Sequence, residues 1–516
     1  MRKGIFLLIL DGFGIGNDDI SNPVYLAKMP YLNNYYKKFP LGTLQASGTA
    51  VGLYWNEAGN CEVGHLTLGI GRTIFQDYLR LISLTREENF FENQKLKDAF
   101  IFAKENSSSV HLIAPLSSNI HLINLDLLKL TLDLAKRINV DLYLNFIATE
   151  KENSFLKIFQ SQIKPLLSLP VRLSKIIGSR YAFDSERNWL VRTKVAFDLF
   201  TKSIGKKVSL SELEDYLIKN STKIFDQDIE PLVIEEKSIE ENDVVLFFAL
   251  KESDIFQLSK ALFEDDEEFK FFERKLPQNL YVLSISQLPL VKPKYQIINL
   301  LEPIKIETHL VRELYLNDKN IFKITDNTKA IPLNFHFNGQ ILNPYPNEYR
   351  KILPTVDIQT NPLLNTVEIF DNVIQAILDD VYEVIIANIP LPDILGHYGD
   401  LNLAVKSLTE LDRVLNEYIE KIISYNWIII LTSDHGNVEK MLWPESGKIQ
   451  KVHDPNPVPF LIIKKGFERE KSTAQVNFQL KNPIGTLADV APTILWFLDL
   501  PKPDWMLGKS LINFVY

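Results

Sequence analysis

Short runs of aliphatic residues that lead to an acidic side chain recur three times along this chain. Ile5–Leu10 stops at Asp11-Gly12, residues 383–389 lead through Pro390 to Asp393, and residues 427–431 lead through Thr432 and Ser433 to Asp434. Runs this short, β-rich and without a polar face, are the pattern of strands buried on both sides of a parallel sheet. Helical periodicity follows over Leu401–Ser424 and again over 485–498. Strands alternating with helices predict an α/β fold built on a mainly parallel sheet. In such sheets ligands bind beyond the carboxyl ends of the strands, and all three acidic residues fall there. An Asp after a strand is often only a turn or cap residue. Three in one chain, with His397 four residues after Asp393 and His435 directly after Asp434, shift the reading towards metal.

The middle of the chain keeps the α/β pattern but not the Asp–His runs. Residues 110–115, 140–146 and 244–248 read as strands, and 125–137 and 192–202 as helices. The acidic stretch 264–268 reads as solvated surface. The expected organisation is a first domain made of residues 1–78 and 308–516, interrupted by an inserted domain of 79–307. The chain would cross between them near 74–80 and 298–312.

Composition narrows the class. The chain has 516 residues, 46% hydrophobic and 23% charged, enough for two or three domains of a soluble protein. Its formal net charge of -9, with no Lys/Arg cluster, argues against a nucleic-acid partner. No apolar stretch approaches the ~20 residues of a membrane helix, so no membrane role is expected. The amino-terminal apolar run is shorter than a signal core and reads as a buried strand. Cys61 is the single cysteine, which rules out an intrachain disulfide and fits a reducing, cytoplasmic setting.

Asp and neutral His suit divalent ions such as manganese or zinc, and two such ions can clamp a phosphoryl group while activating its attacker. Asp393 and His397, one helical turn apart, would share an ion that His453 completes. Asp434 and His435 would join Asp11 at a second ion. Cys61 lies in the turn Gly59-Asn60-Cys61-Glu62-Val63-Gly64, where a nucleophile can be presented at a helix start. The plain alternative is a small buried thiol.

These runs, with Gly69-Ile70-Gly71-Arg72, Phe75-Gln76-Asp77, Ile176-Ile177-Gly178, Tyr181-Ala182-Phe183-Asp184 and Phe337-Asn338-Gly339, resemble the cofactor-independent phosphoglycerate mutases of the alkaline-phosphatase superfamily over most of the chain. The resemblance implies a bilobed α/β protein, with an alkaline-phosphatase-like parallel-sheet domain interrupted by an α/β phosphotransferase domain. It implies a monomer acting on a small phosphorylated substrate, with two divalent ions, usually manganese. A transiently phosphorylated residue would serve while phosphoglycerate reorients between its 3- and 2-hydroxyls. Position by position, it gives one ion Asp393, His397 and His453, and the other Asp11, Asp434, His435 and the nucleophile position, Cys61. His121 and Lys329 match the substrate-contacting His and Lys.

The chain also departs from the family. The family's serine is Cys61, and a softer sulphur ligand tilts the site towards zinc or iron. Where the family has Asp-Gly-Arg-Asp, this chain has Ala148-Thr149-Glu150-Lys151, and where it has Phe-Arg-x-Asp-Arg, Leu250-Lys251-Glu252-Ser253-Asp254 aligns. Two further arginines are Ser179 and Ser185, with Arg180 and Arg187 nearby. Arg180, Arg187 and Lys251 are the residues expected to reoccupy the lost anion sites. Arg binds phosphate and carboxylate as a fork that Lys only partly replaces. Two other functions therefore stand beside the mutase: a metal-dependent phosphohydrolase or phosphomutase on another metabolite, and a catalytically impaired binding relative.

Overall fold

The first apolar run forms the strand Ile5–Leu10 at the centre of an eight-stranded sheet. Its odd and even positions point to opposite faces, as a strand's period of two requires. Phe6, Leu8 and Leu10 pack into one core with the helices Leu364–Leu378 and Leu401–Ser424. Ile5, Leu7 and Ile9 pack into another with Leu310–Leu316 and Val490–Phe497. Helices on both faces explain why the run has no polar side.

The computed structural model describes residues 4–86, 93–149, 154–184, 188–220, 224–250, 252–443 and 445–513. The chain divides into one unit of Met1–Gln76 with Lys305–Tyr516 and a second of Asp77–Ile304. In the first, the strand order is Glu348–Leu353, Ile321–Asp326, Val384–Ile389, Ile5–Leu10, Ile428–Thr432, Val458–Ile463, Leu41–Gln45 and Gly485–Thr486. The first five run parallel, and Val458–Ile463 is antiparallel to both its neighbours.

The second unit has its own eight-stranded sheet, centred on Val110–Leu116, Leu142–Ala148 and Val244–Phe247, with one antiparallel pairing among the described residues, between Val171–Gly178 and Leu232–Val233. The helices Gln94–Glu105 and Leu125–Ile138 cover one face, and Lys194–Lys202 and Glu252–Phe263 lie on the other. The α/β class with mainly parallel sheets, read from the apolar runs, is borne out.

Three local expectations need correction. The helical pattern over 485–498 opens with the short strand Gly485–Thr486 and a tight turn, and its α-helix is Val490–Phe497. The strand expected at 140–146 is displaced to Leu142–Ala148, because Asn139 caps the preceding helix in a left-handed conformation. Within the acidic stretch 264–268, Glu264 is buried rather than solvated. Its carboxylate accepts from Val291 N–H at 3.0 Å and Lys292 N–H at 2.7 Å and pairs with Lys260 at 2.7 Å. A buried carboxylate so fully bonded keeps its charge, and it sits below its ordinary titration range although burial opposes this.

Candidate metal centre

Four adjacent parallel strands of the first unit deliver their following residues to one place. Ile321–Asp326 leads to Lys329, Val384–Ile389 to Asp393, Ile5–Leu10 to Asp11, and Ile428–Thr432 to Asp434 and His435. The loop before the antiparallel strand Val458–Ile463 adds His453. Cys61 is the first residue of the helix Cys61–Ile70, whose cap Asn60 accepts the N–H groups of Glu62 and Val63.

Two donor sets result. Asp11, Cys61, Asp434 and His435 each offer a ligand atom, all within 4.8 Å of one another. His435 Nε2 lies 3.1 Å from Cys61 Sγ and 3.4 Å from Asp434 Oδ2. In the second set Asp393 and His397, on the helix Leu391–Tyr398, stand with Asp393 Oδ1 3.4 Å from His397 Nε2. His453 Nε2 is 3.0 Å from His397 Nε2 and 3.5 Å from Asp393 Oδ1. His435 also reaches Asp393, at 4.0 Å, so it borders both sets.

The imidazoles are oriented alike. Nδ1 of His397, His435 and His453 meets the carbonyl oxygens of Lys451, Gly436 and Gly59 at 3.0, 3.2 and 2.9 Å. A ring that donates from Nδ1 keeps its Nε2 lone pair free, the tautomer a metal ligand needs. Asp434 is fully buried, and Gly12 N–H donates to its Oδ1 at 3.2 Å. Its Oδ2 lies 3.0 Å from His65 Nδ1 yet has no hydrogen-bond partner among the described residues, because that ring nitrogen is directed at Cys61 O, 2.9 Å away. A buried carboxylate oxygen without a donor is costly unless a cation serves it. Donor chemistry, tautomers and the orphan oxygen together fit divalent ions.

Lys329 is buried between the sets. Its ammonium donates to Asp11 Oδ1 at 2.7 Å, Asp393 Oδ2 at 2.5 Å and Cys61 Sγ at 2.9 Å. Burial opposes its charge, but Asp11 and Asp393 outweigh this and raise its pKa. Burial and the Asp434 charge push Asp11 up, whereas in Asp393 burial is overcome by His453 and Lys329, which hold it down. Burial, then Asp11 and Asp434, push the Cys61 thiol far up. The thiolate therefore requires additional positive charge at the site.

Two glycines permit this convergence. Gly12 has φ +68°, and a Cβ there would lie 2.8 Å from Cα and Cβ of Asp393. At Gly64 a Cβ would lie 2.4 Å from the backbone oxygen of Asp434.

The remaining expected residues lie in the second unit. His121 is exposed, its ring edge-on to Tyr78 with centroids 4.5 Å apart. Arg180 is ion-paired, Nε to Asp228 Oδ1, at 2.7 Å. Residues 150, 151, 185, 187 and 251, including Arg187 and Lys251, lie outside the described residues, as do the side chains of 252–254.

Sequence reasoning missed the layer behind the ligands. Asn388 Nδ2 donates to Asp11 Oδ2 at 2.7 Å and lies 2.9 Å from His65 Nε2. Asn437 Nδ2 donates to Asp393 Oδ1 at 2.7 Å. Two signals were present: His65 follows Cys61 by one helical turn, and Asn388 is the only polar residue in its strand.

Residues 3–502 match a model of the metalloenzyme superfamily. The chain is 32% identical over 529 residues to the 2,3-bisphosphoglycerate-independent phosphoglycerate mutase of Clostridium perfringens (strain SM101 / Type A), covering 99% of each. It is 31% identical over 528 residues to the enzyme of the same name from Clostridioides difficile (strain 630), covering 99% of this chain and all of that one. Among solved structures, Leishmania mexicana phosphoglycerate mutase matches with a TM-score of 0.62 at 20% identity, over 99% of this chain and 97% of that one, a likeness of fold. No helix among the described residues is long and apolar enough to cross a membrane.

Proposed function

The chain belongs to the family of 2,3-bisphosphoglycerate-independent phosphoglycerate mutases, and we propose that it interconverts 3- and 2-phosphoglycerate through a phosphoenzyme at Cys61. The observation that carries this is the position of Cys61 Sγ, within one carboxylate–imidazole set, 3.1 Å from His435 Nε2 and 2.9 Å from Lys329 Nζ, whose ammonium also pairs with Asp393 of the other set. Asp11, Cys61, Asp434 and His435 would hold one divalent ion, and Asp393, His397 and His453 the other. When bound, these ions (manganese by the family's usage, zinc or iron favoured by the thiolate) supply Lewis acidity to phosphoryl oxygens and lower the thiol's pKa.

The chain's own residues do the rest. The Cys61 thiolate forms a bond to phosphorus as the bond from phosphorus to the substrate oxygen breaks. The departing alkoxide takes the proton of the neighbouring hydroxyl, whose oxygen then attacks phosphorus as the sulphur–phosphorus bond breaks and the thiolate is restored. The Lys329 ammonium offsets negative charge on sulphur and on the departing oxygen. Asn388 and Asn437 hold the Asp11 and Asp393 carboxylates in place. The protein is proposed to act as a cytoplasmic monomer on this small substrate.

A coupled assay of 3- to 2-phosphoglycerate conversion tests the reading. Cys61→Ser should preserve or increase activity with manganese, since oxygen matches the harder ion, and Cys61→Ala should abolish it. Full activity in Cys61→Ala would refute the covalent route, because alanine can neither carry phosphate nor bind metal. One observation favours a second reading, a phosphohydrolase or phosphomutase on another metabolite: Arg180, nearest to a lost family arginine, is committed to Asp228. A phosphate-release screen over phosphorylated metabolites detects that activity. Silence in both assays identifies an impaired binding relative.

A further inference from the structure

His65 is enclosed by residues that supply one of the two ligand sets. It stands one helical turn after Cys61 on the helix Cys61–Ile70, and its side chain is fully buried. Gly64 brings that helix against the backbone of Asp434. His65 Nδ1 lies 2.9 Å from the Cys61 carbonyl oxygen and 3.0 Å from Asp434 Oδ2, and Nε2 lies 2.9 Å from Asn388 Nδ2. The phosphoryl transfer itself gives this ring no task.

Both sides of the ring fix the same tautomer. Asn388 is buried in the strand Val384–Ile389, opposite Ile9 of Ile5–Leu10. Its Nδ2 is 2.7 Å from Asp11 Oδ2, an acceptor, so the NH₂ end of the amide faces Asp11. Its Oδ1 accepts from Thr325 Oγ1 at 3.4 Å. The second amide hydrogen serves His65 Nε2, which is therefore the bare, accepting nitrogen. Nδ1 meets a carbonyl and a carboxylate oxygen, both acceptors, and therefore carries the proton. Each side of the ring demands this tautomer without reference to the other.

One hydrogen-bonded chain thus runs from Asp11 through Asn388 and His65 to the main chain of Cys61. It ties the thiol-bearing residue to two adjacent strands of the sheet. The Nδ1 proton, directed at Cys61 O, leaves Asp434 Oδ2 without a donor and open to a cation. We propose that His65 is a positioning residue: its Nδ1–H holds Cys61 at the separation from Asp11 and Asp434 that their shared ion requires, and Asn388 holds the ring. Asp393, His397 and His453 make no hydrogen bond or ion pair with His65 among the described residues, so the other ion is independent of it. The role at the ion, though not the tautomer, rests on the metal reading above.

The test compares the full chain with two variants that each keep half of the ring's bonding. In His65→Gln the amide oxygen takes the place of Nε2 and accepts from Asn388, but the donor to Cys61 is lost. In His65→Asn the amide NH₂ takes the place of Nδ1 and the acceptor for Asn388 is lost. Calorimetric manganese titration of chelator-treated protein should show one of two ions weakened about tenfold or more in His65→Gln, with the other within about twofold of the parent. His65→Asn should recover at least about threefold of that loss. Melting temperatures under chelation near that of the parent establish that the variants are folded. Equal weakening of both ions, unchanged binding, or no recovery in His65→Asn overturns the positioning role alone. A parent that takes up no manganese removes the metal reading, and the role at the ion with it. Neutron diffraction from the parent needs no variant: it should show the ring proton on Nδ1 and none on Nε2, and any other protonation overturns the proposal.

Discussion

Raising the pH through the titration of Glu439 is expected to cost the fold about 3 kcal/mol, and a single amide substitution should remove that dependence. Glu439 is fully buried. Its Oε2 accepts the N–H groups of Gly14 at 3.0 Å and Asn437 at 2.8 Å, and its Oε1 accepts from Asn456 Nδ2 at 3.2 Å. Burial, then the charge of Asp454, push its pKa from 4.5 to about 7. Between those values the folded chain holds a proton that the unfolded chain has released, so stability falls as pH rises across the window. The gap of roughly 2.5 pH units, at about 1.4 kcal/mol each, gives about 3 kcal/mol. In Glu439→Gln the amide oxygen keeps both backbone donors, and rotation of the Asn456 amide offers its oxygen to the new NH₂ group. The variant stays neutral at every pH. Urea unfolding of both proteins under chelation, from about pH 4.5 to about pH 8, isolates the term. The variant's stability relative to the parent should climb by about 3 kcal/mol across the range, with most of the rise below pH 7. A flat difference would show that Glu439 is ionised throughout and that Gly14 and Asn437 hold it as a carboxylate.

Gly64→Ala places a methyl group 2.4 Å from the backbone oxygen of Asp434. It should destabilise by about 1–3 kcal/mol and lower metal stoichiometry, and an unchanged melting temperature and metal content would contradict the close approach. Manganese or zinc should raise the melting temperature of chelator-treated protein, because an ion that binds only the folded state stabilises it; no shift at saturating metal would remove the two-ion assignment. Limited proteolysis near residues 74–80 and 298–312 should release a stable central fragment, as the proposed inserted domain requires. Cleavage that yields one uninterrupted amino-terminal domain instead would overturn that division.

The local chemistry of the site was legible from the chain because it obeys short-range periodicity. The apolar runs before Asp11, Asp393 and Asp434 predict strands, and a strand's carboxyl end predicts where the next side chains project. The spacing of Asp393 and His397 fits one helical turn, and the helix Leu391–Tyr398 carries both, 3.4 Å apart. Tertiary structure decided what lies between them. Placing Ile321–Asp326 beside Val384–Ile389 is a choice of strand order, which no local pattern encodes, and it puts the Lys329 ammonium between Asp11 and Asp393. The same holds for the Gly59 carbonyl that sets the His453 tautomer, for His65 and Asn388 behind the acids, and for the unsatisfied Asp434 oxygen. Each depends on segments hundreds of residues apart meeting within hydrogen-bond distance. Sequence determines which groups can bind and roughly where each leaves its strand or helix. Only the packing of the whole sheet fixes the distances, burial and charge that turn those groups into a site.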